Sequence, residues 1–548
     1  MANRGNHDGT EETTVVLRKF GINETYQLAM YLLDQYRGTT LSCRYEIPPR
    51  LVPAESRTQL EEAVKVAVVD TIMKHPMLQV AIVDHTLKTP SWIQLPSLDL
   101  TQHIQWNYLP EHDDFEHTVQ ETFRTQLDGR FPDLSIKQPG WKITIIRQGN
   151  APVMEVLLTW NHPQFDAMGA KVFHEDLIEM LNAQADAADK NNNEAAQERT
   201  GLLDGHILRL PQAPPLLPIP LESLTKLPVD LKFLVKALWE EIRPKFIERW
   251  DTSWAAWCPI RASPYKTQYR AFFLDNASMQ AIQALCRKNQ TTITGLLNGL
   301  ALIAFSSHLD TAVASAFQSS NIVDHRRNLP PAPPEAPWVR SDRAVSNYVT
   351  QCLHKWDTEL VARIRSKLPG PADTDTDATV SGEGGRNLLS ADLQRELWAA
   401  SARNRQEIVD KLKDPLRNDI VGLFQYVTDW QATMRGLAKR TRQFSWLVTN
   451  IGVLDGNGSG NGKASSSTTG GGGGGGDTKS DDRWSIGRAQ FGLSAEVPAA
   501  AIEFSPVSVA GRGMCVAATW ADCAVDVTLG ESIMADLERW LAQLASQS

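Results

Sequence analysis

The chain has 548 residues, of which 42% are hydrophobic and 22% are charged, and its formal net charge is -9 at pH 7. This length exceeds what a single hydrophobic core supports and predicts at least two units of ordinary domain size. The composition is typical of a soluble globular protein. The negative charge argues against nucleic acid as the main partner, because binding phosphates requires clustered Lys and Arg.

The six cysteines are scattered without C-x-x-C spacing, which favours neither a disulfide framework nor a zinc site. No stretch approaches the ~20 apolar residues that span a bilayer. Residues 1–14 are polar, lack the apolar core of a secretion signal and are expected to be disordered. These features together predict a reducing, cytoplasmic setting.

The first half of the chain alternates strand and helix patterns. In chain order they predict a strand at 39–47, helices at 60–72 and 115–127, strands at 141–146 and 153–160, and a helix that ends near 182. The helix at 60–72 is expected to stop before His75-Pro76, because the residue before a proline avoids helical geometry. This half is predicted to form one mixed α/β unit over residues 15–182.

Residues 183–265 are predicted to be a linker and crossover. Residues 183–200 are rich in Ala, Asn, Asp and Glu, and residues 210–220 contain five prolines, which predicts an extended strap. Apolar residues between 231 and 242 recur at helical spacing and predict an amphipathic helix. Packing of this helix on the protein itself is favoured over docking to a membrane surface or a partner.

The second unit is predicted to cover residues 266–548. Its pattern predicts strands at 269–274, 444–450, 500–505 and 515–520, and helices at 279–286, 293–309, 345–364, 391–412, 420–437 and 533–544. A glycine-rich insertion at about 455–482 lacks the Lys-Ser/Thr ending of a phosphate-binding loop. It is expected to be disordered and to have no catalytic role.

One motif places a base and a carboxylate four residues apart. His162 follows the predicted strand at 153–160, Asp166 precedes the next predicted helix, and none of the other eleven histidines has Asp four places on. Group-transfer enzymes use such a base when a hydroxyl or amine must lose its proton while it attacks an activated carbonyl. The motif alone is weak, so its context decides the interpretation.

Several segments carry a family resemblance in the same order along the chain. They are Lys74-His75-Pro76-Met77-Leu78, the strand at 141–146, residues 160–167 with the His-x-x-x-Asp motif, residues 321–330 and residues 445–452. Together they resemble the acyl-CoA-dependent acyltransferase superfamily, and most closely its fungal alcohol acetyltransferase branch. The resemblance implies an α/β (α+β) fold of two chloramphenicol acetyltransferase-like subdomains. Each would be a mixed sheet with flanking helices, and an active-site channel would lie between them.

Three differences between this sequence and the patterns of related branches limit which branch the chain resembles. Asn161 stands where peptide-synthetase condensation domains usually have a second histidine, and Ala167 stands where the motif usually has glycine. The "DFGWG" element of the plant acyltransferases is absent, and Trp520-Ala521-Asp522 occupies the corresponding late region. The condensation and plant branches are therefore both disfavoured.

The resemblance implies an acyl-CoA-dependent O-acyltransferase that moves an acetyl group from acetyl-CoA to a hydroxyl of a small molecule. The acceptor would be a secondary metabolite or a simple alcohol, no cofactor would be bound, and the protein would act as a monomer. Two alternatives remain open. One is a free-standing condensation-like domain that uses a carrier-protein thioester, and the other is a non-catalytic member of the family.

His162 is the predicted general base, since a neutral imidazole can take a proton from the acceptor and return it to the leaving thiolate. Asp166 could orient the imidazole or hold the turn through an ion pair. The resemblance implies the second role, with Arg326 as the preferred partner and Arg327 next. A buried carboxylate without such a partner would be costly.

Thr449 and Asn450 are candidates for stabilising the oxyanion, although a structural role at the strand end is an equal alternative. His174 and Asp176 raise the idea of a metal cluster with the motif. Their spacing is not that of a zinc site, so no metal is predicted.

Overall fold

The computed structural model describes residues 15–131, 134, 136–189, 202–242, 251–261, 265–331, 341–369, 388–458 and 482–547. The predictions of disorder for residues 1–14 and for most of the glycine-rich insertion lie outside the described residues. Within them, helices and strands intermix along the chain, and the predicted mixed α/β class is confirmed.

The strands are β1 (Val16–Lys19), β2 (Gly38–Glu46), β3 (Val80–Val83), β4 (Ser91–Gln94), β5 (Ser97–Asp99), β6 (Ile104–Leu109), β7 (Trp141–Gln148), β8 (Val153–Asn161), β9 (Leu203–Asp204), β10 (Ile207–Arg209), β11 (Thr267–Asp275), β12 (Phe317–Asp324), β13 (Val349–Trp356), β14 (Trp446–Val448), β15 (Val453–Leu454), β16 (Ser485–Leu493), β17 (Ile502–Val509) and β18 (Gly513–Ala521).

The helices are α1 (Ile22–Leu32), α2 (Arg57–Lys74), α3 (Phe115–Asp128), α4 (Ala167–Asp189), α5 (Leu221–Leu224), α6 (Leu231–Ile242), α7 (Asn276–Lys288), α8 (Ile293–His308), α9 (Thr358–Arg365), α10 (Ala391–Lys411), α11 (Ile420–Phe424), α12 (Trp430–Leu437) and α13 (Val527–Ser546).

The first large sheet has the strand order β16-β2-β8-β7-β6. Strand β8 lies in the middle, and every residue after Val153 is buried. Because both faces of this strand are covered, it is a continuous apolar run rather than an alternating one. Its carboxyl end therefore delivers the next residues into the interior of the protein.

The second large sheet has the order β11-β18-β17-β14-β12-β13, and β15 also pairs with β17. Strands β12, β14 and β17 run parallel to one another. Parallel neighbours end at the same edge of a sheet. The residues that follow β12 and β14 therefore come close together there.

One strand from the second half of the chain, β16, belongs to the first sheet. Strand β16 lies within the predicted second subdomain, yet it pairs with β2 along 485–493 and becomes the edge of the first sheet. The hydroxyl of Tyr269 on β11 donates to Gln490 on β16 over 3.1 Å. The first sheet thus takes one strand from the second half of the chain, and the subdomain bounds stay a prediction.

The predicted helix at 345–364 is wrong over most of its length. Residues 349–356 form β13, which pairs antiparallel with β12, and only α9 is helical. Alternate residues of β13 are buried: Thr350, Cys352, His354 and Trp356. Because some residues on the buried face are polar, the alternation of buried and exposed positions does not appear in the sequence as an alternation of apolar and polar residues.

Two further boundaries differ from the sequence prediction. The predicted linker at 183–200 begins inside a helix, because α4 continues to Asp189. The predicted helix at 420–437 is two helices, since the side chains of Asp419 and Asp429 each accept a backbone N–H and start a new helix. Residues 210–220 lie in neither helix nor strand, as the prolines predict.

Helix α6 exposes part of its apolar stripe, with Leu231, Val235, Leu238 and Trp239 all more than half exposed. Among the helices that the structure describes, none has both the length and the apolar character to cross a membrane.

Candidate active site

The His162–Asp166 turn joins the carboxyl end of β8 to the start of α4. The Trp160 indole N–H donates to the Phe165 carbonyl over 2.7 Å, and the Gln164 side chain accepts from the Gly140 amide over 3.1 Å. The amide of Asn347, before β13, donates to the carbonyls of His162 and Pro163. Contacts from several parts of the chain therefore hold the turn in one conformation.

Asp166 does not contact the imidazole. Its carboxylate accepts two bonds from Arg326, at 2.7 and 2.9 Å, and one each from the backbone amides of Gly169 and Tyr348, both at 2.9 Å. The bond to Gly169 makes Asp166 the N-cap of α4. These four bonds use both oxygens, so the carboxylate holds the turn and does not orient the ring.

Arg326 follows β12 and is as deeply buried as Asp166, each side chain being 1% exposed. Its guanidinium also bonds Asp324 over 2.7 Å and the carbonyls of Ala344 and Ser346. The neighbouring carboxylates raise the pKa of Arg326 in spite of its burial, so it keeps its charge. Arg327, the second candidate partner, is exposed.

His162 is 8% exposed, and its ring lies 5.5 Å from that of Tyr36. Burial lowers its pKa below the ordinary value, against the smaller opposing effects of the Asp166 charge, its own carbonyl and the Asn347 amide. The imidazole is therefore neutral at pH 7. Nδ1 is buried with no hydrogen-bond partner among the described residues.

The two oxyanion candidates differ in what their side chains contact. Thr449 follows β14, is 7% exposed, and its hydroxyl is buried with no partner among the described residues. The Asn450 amide donates to Thr294 over 3.0 Å, and its oxygen accepts the Gly452 N–H over 2.8 Å. Thr449 alone of the two has an uncommitted donor.

His162 and Thr449 line one cavity of about 130 Å³ between the two large sheets. Asp166 and Asn450 also reach its wall. A cavity of this size can hold a ring-sized group. Its wall includes three residues that the sequence interpretation missed, Tyr36, Asn347 and Glu496. No motif marks them, and Glu496 reaches the cavity because β16 pairs with β2 of the first sheet.

His174 and Asp176 do not join this site. His174 bonds the Tyr45 hydroxyl and the Leu41 carbonyl, and burial lowers its pKa to about 4. Asp176 is buried and pairs with Lys74 and His75 at the end of α2 and with Arg343. Among the described residues, no three His, Cys, Asp or Glu side chains are grouped to hold a metal ion.

Residues 97–349 match the family model of the alcohol acetyltransferases. Over these residues the chain is similar to the alcohol acetyltransferases, and this similarity supports an acyltransferase enzyme. The match includes the motif, its Arg326 partner and Asn347. A probable alcohol acetyltransferase, FCK4, of Fusarium pseudograminearum (strain CS3096) is 21% identical over an alignment of 543 residues, and the alignment covers 97% of this chain and 96% of that protein.

Solved structures share the fold of this acyltransferase. The TRI3 trichothecene 15-O-acetyltransferase from Fusarium sporotrichioides has a TM-score of 0.66 at 13% identity, over 98% of this chain and 96% of that one. The epimerization domain of the third module of tyrocidine synthetase B has a TM-score of 0.52 at 11% identity, over 97% and 98%. At such identities these likenesses concern the fold alone, and they confirm the predicted fold class.

Proposed function

We propose that this acyltransferase moves an acetyl group from acetyl-CoA to a hydroxyl of a small molecule, with His162 as the general base. The supporting observation is that the buried, neutral imidazole of His162 lines the same cavity as Thr449, whose hydroxyl has no hydrogen-bond partner among the described residues. A base is most effective when it is unprotonated at the working pH and held in place before the reaction.

In the proposed reaction, Nε2 of His162 takes the proton of the acceptor hydroxyl as that oxygen attacks the thioester carbonyl carbon. The new C–O bond gives a tetrahedral intermediate, whose negative oxygen accepts a hydrogen bond from the Thr449 hydroxyl. The C–S bond then breaks, and the proton passes from His162 to the coenzyme A sulfur. Asp166 and Arg326 take no proton and serve to position the turn.

The test measures free thiol release and the acetylated product by mass spectrometry, with acetyl-CoA and a panel of alcohols. We expect His162→Ala to lower the rate by about 10²-fold to 10⁴-fold, the usual contribution of a general base. His117→Ala, an exposed histidine on α3, is the control and should keep the wild-type rate. Wild-type thioester consumption by a folded His162→Ala protein would contradict the proposal.

A second donor separates coenzyme A from a carrier. The same acetyl group presented on a carrier-protein pantetheine arm should react more slowly than acetyl-CoA, because Asn161 departs from the double histidine of condensation domains. The monomeric state and the cytoplasmic location stay predictions.

A further inference from the structure

Two carboxyl groups near this cavity take no part in the proposed reaction, and of these Glu496 is half-buried and Glu503 is buried. Glu496 comes three residues after the end of β16 and lines the cavity. Glu503 lies on β17 and is 1% exposed. Buried carboxyl groups are uncommon unless they are paired or serve a function.

The pairing register of the second sheet places the side chain of Glu503 on the face of the sheet that borders the same cavity. Glu503 pairs with Leu447 on β14, and the side chain of Leu447 lines the cavity. Its chain neighbours Ile502 and Phe504 point to the opposite face, into the core formed with the helices. Successive strand residues alternate between faces, so Glu503 lies on the cavity side of the sheet.

Some buried hydrogen-bond acceptors near this cavity lack a donor among the described residues. Both carboxylate oxygens of Glu503 are buried and lack a partner among the described residues. The same holds for the side-chain oxygen of Gln27, which lines the cavity. Leaving a buried acceptor unpaired is costly, so a bound molecule that brings a donor would offset part of this cost.

Nearby protein groups satisfy these carboxyls only in part. The Tyr26 hydroxyl donates to one oxygen of Glu496 over 3.0 Å. Arg442 interacts with both carboxyls electrostatically, but its Nε and Nη1 donate to the carbonyls of Cys258, Ala499 and Ala500. Burial raises the pKa of Glu496 to about 7 and also raises that of Glu503, which the charge of Glu496 raises further.

We propose that Glu496, with Glu503 behind it, binds a second hydrogen-bond donor of the acceptor molecule. The acceptor would then be a polyol or an amino alcohol, and not a monofunctional alcohol. One hydroxyl lies at His162, and a second hydroxyl or a protonated amine donates to Glu496. This inference rests on the proposed function, since it names the class of acceptor for that reaction.

The first arm of the test compares acceptors in the wild-type protein. Cyclohexanol, cyclohexanediol and aminocyclohexanol isomers share one ring and differ only in the second group, and each is assayed with acetyl-CoA. At pH 8, where the Glu496 carboxyl with its pKa of about 7 is largely ionised, the second donor should raise kcat/KM by about 10-fold or more over cyclohexanol, the value of one hydrogen bond to a charged group. Equal or higher kcat/KM for cyclohexanol would overturn the inference.

The second arm compares Glu496→Gln and Glu496→Leu with the exposed control Glu359→Gln on α9. Glu496→Leu should reduce the preference for the second donor at least about 10-fold, and Glu359→Gln should leave it unchanged. Glu496→Gln keeps an acceptor oxygen without charge, so it should penalise the amino alcohol more than the diol if an ammonium binds. An unchanged preference in both Glu496 variants, with thermal unfolding verifying that they fold, would overturn the inference.

The two proposals fail in different ways. If the wild-type protein consumes no acetyl-CoA with any of the acceptors, the proposed function itself is refuted. If acetyl-CoA is consumed but the preference neither exists nor depends on Glu496, only the assignment of the acceptor class is refuted.

Discussion

The buried pair of Asp166 and Arg326 yields the most specific mutational prediction. Asp166→Asn keeps the shape of the side chain but removes the charge, and it places an NH₂ group where the carboxylate accepts four bonds. Breaking a buried ion pair by neutralising one partner costs about 3–5 kcal/mol. Arg326 keeps its bonds to Asp324 and to two backbone carbonyls, so we expect the lower end, about 3 kcal/mol.

A matched control is available on the same guanidinium. Asp324 also bonds Arg326, but its side chain is 25% exposed, and it shares no hydrogen bond with the His162 turn in the described part of the chain. Asp324→Asn should therefore cost about 1 kcal/mol or less, because a partly exposed pair is screened by solvent. The difference between the two variants isolates the contribution of the buried pair.

The assays are denaturant-induced unfolding and steady-state kinetics of acetyl transfer. Because a chain of this size can unfold in more than one step, midpoints are compared between variants and not converted to a single free energy. Displacing the turn by about 1 Å should also lower kcat about 10²-fold, since the base loses its alignment with the reacting hydroxyl. If Asp166→Asn retains the wild-type midpoint and kcat, or if Asp324→Asn lowers the midpoint equally, the positioning argument is wrong.

Three further predictions concern the same site. Because burial lowers the pKa of His162, kcat/KM of Glu496→Gln, in which that carboxyl no longer titrates, should be flat above pH 6.5 and should fall only at lower pH; an acid limb centred above 6.5 in this variant would contradict this. The same shift lowers stability as pH falls below 6.5, since the unfolded chain then binds the proton more readily. Thr449→Val should reduce kcat about 10²-fold with little change in KM, and Thr449→Ser, which keeps the hydroxyl, should have a kcat close to that of the wild type. Equal kcat values for the Thr449→Val and Thr449→Ser variants would exclude the hydroxyl as the oxyanion donor. A Cβ at Gly140 would overlap the Asn161 side chain, so Gly140→Ala should destabilise the protein by about 1–3 kcal/mol. Adding Asn161→Ala should recover part of that loss, whereas purely additive effects would show that the two sites do not interact.

Local patterns were sufficient for the elements that lead into the site. The continuous apolar run of β8 and the helix that follows Asp166 were both evident, because a central strand buried on two faces and a capped helix have short-range signatures. The resemblance added Arg326 as a partner from 160 residues away, which no local pattern indicates. Strand β13 was missed because its buried face carries Thr350 and His354, which do not look like core residues.

The sequence by itself determined the base, the carboxylate and the strand-to-helix turn that carries them, because these depend on residues within one short segment. Only the tertiary structure decided that the Asp166 carboxylate contacts Arg326 and not the imidazole, and that Thr449 has a free hydroxyl while Asn450 does not. It also brought Glu496 to the cavity, through a strand that joins the sheet of the other half of the chain. The physical reason is that burial and hydrogen-bond partners across long sequence separations are properties of the folded packing, and no stretch of local sequence records them.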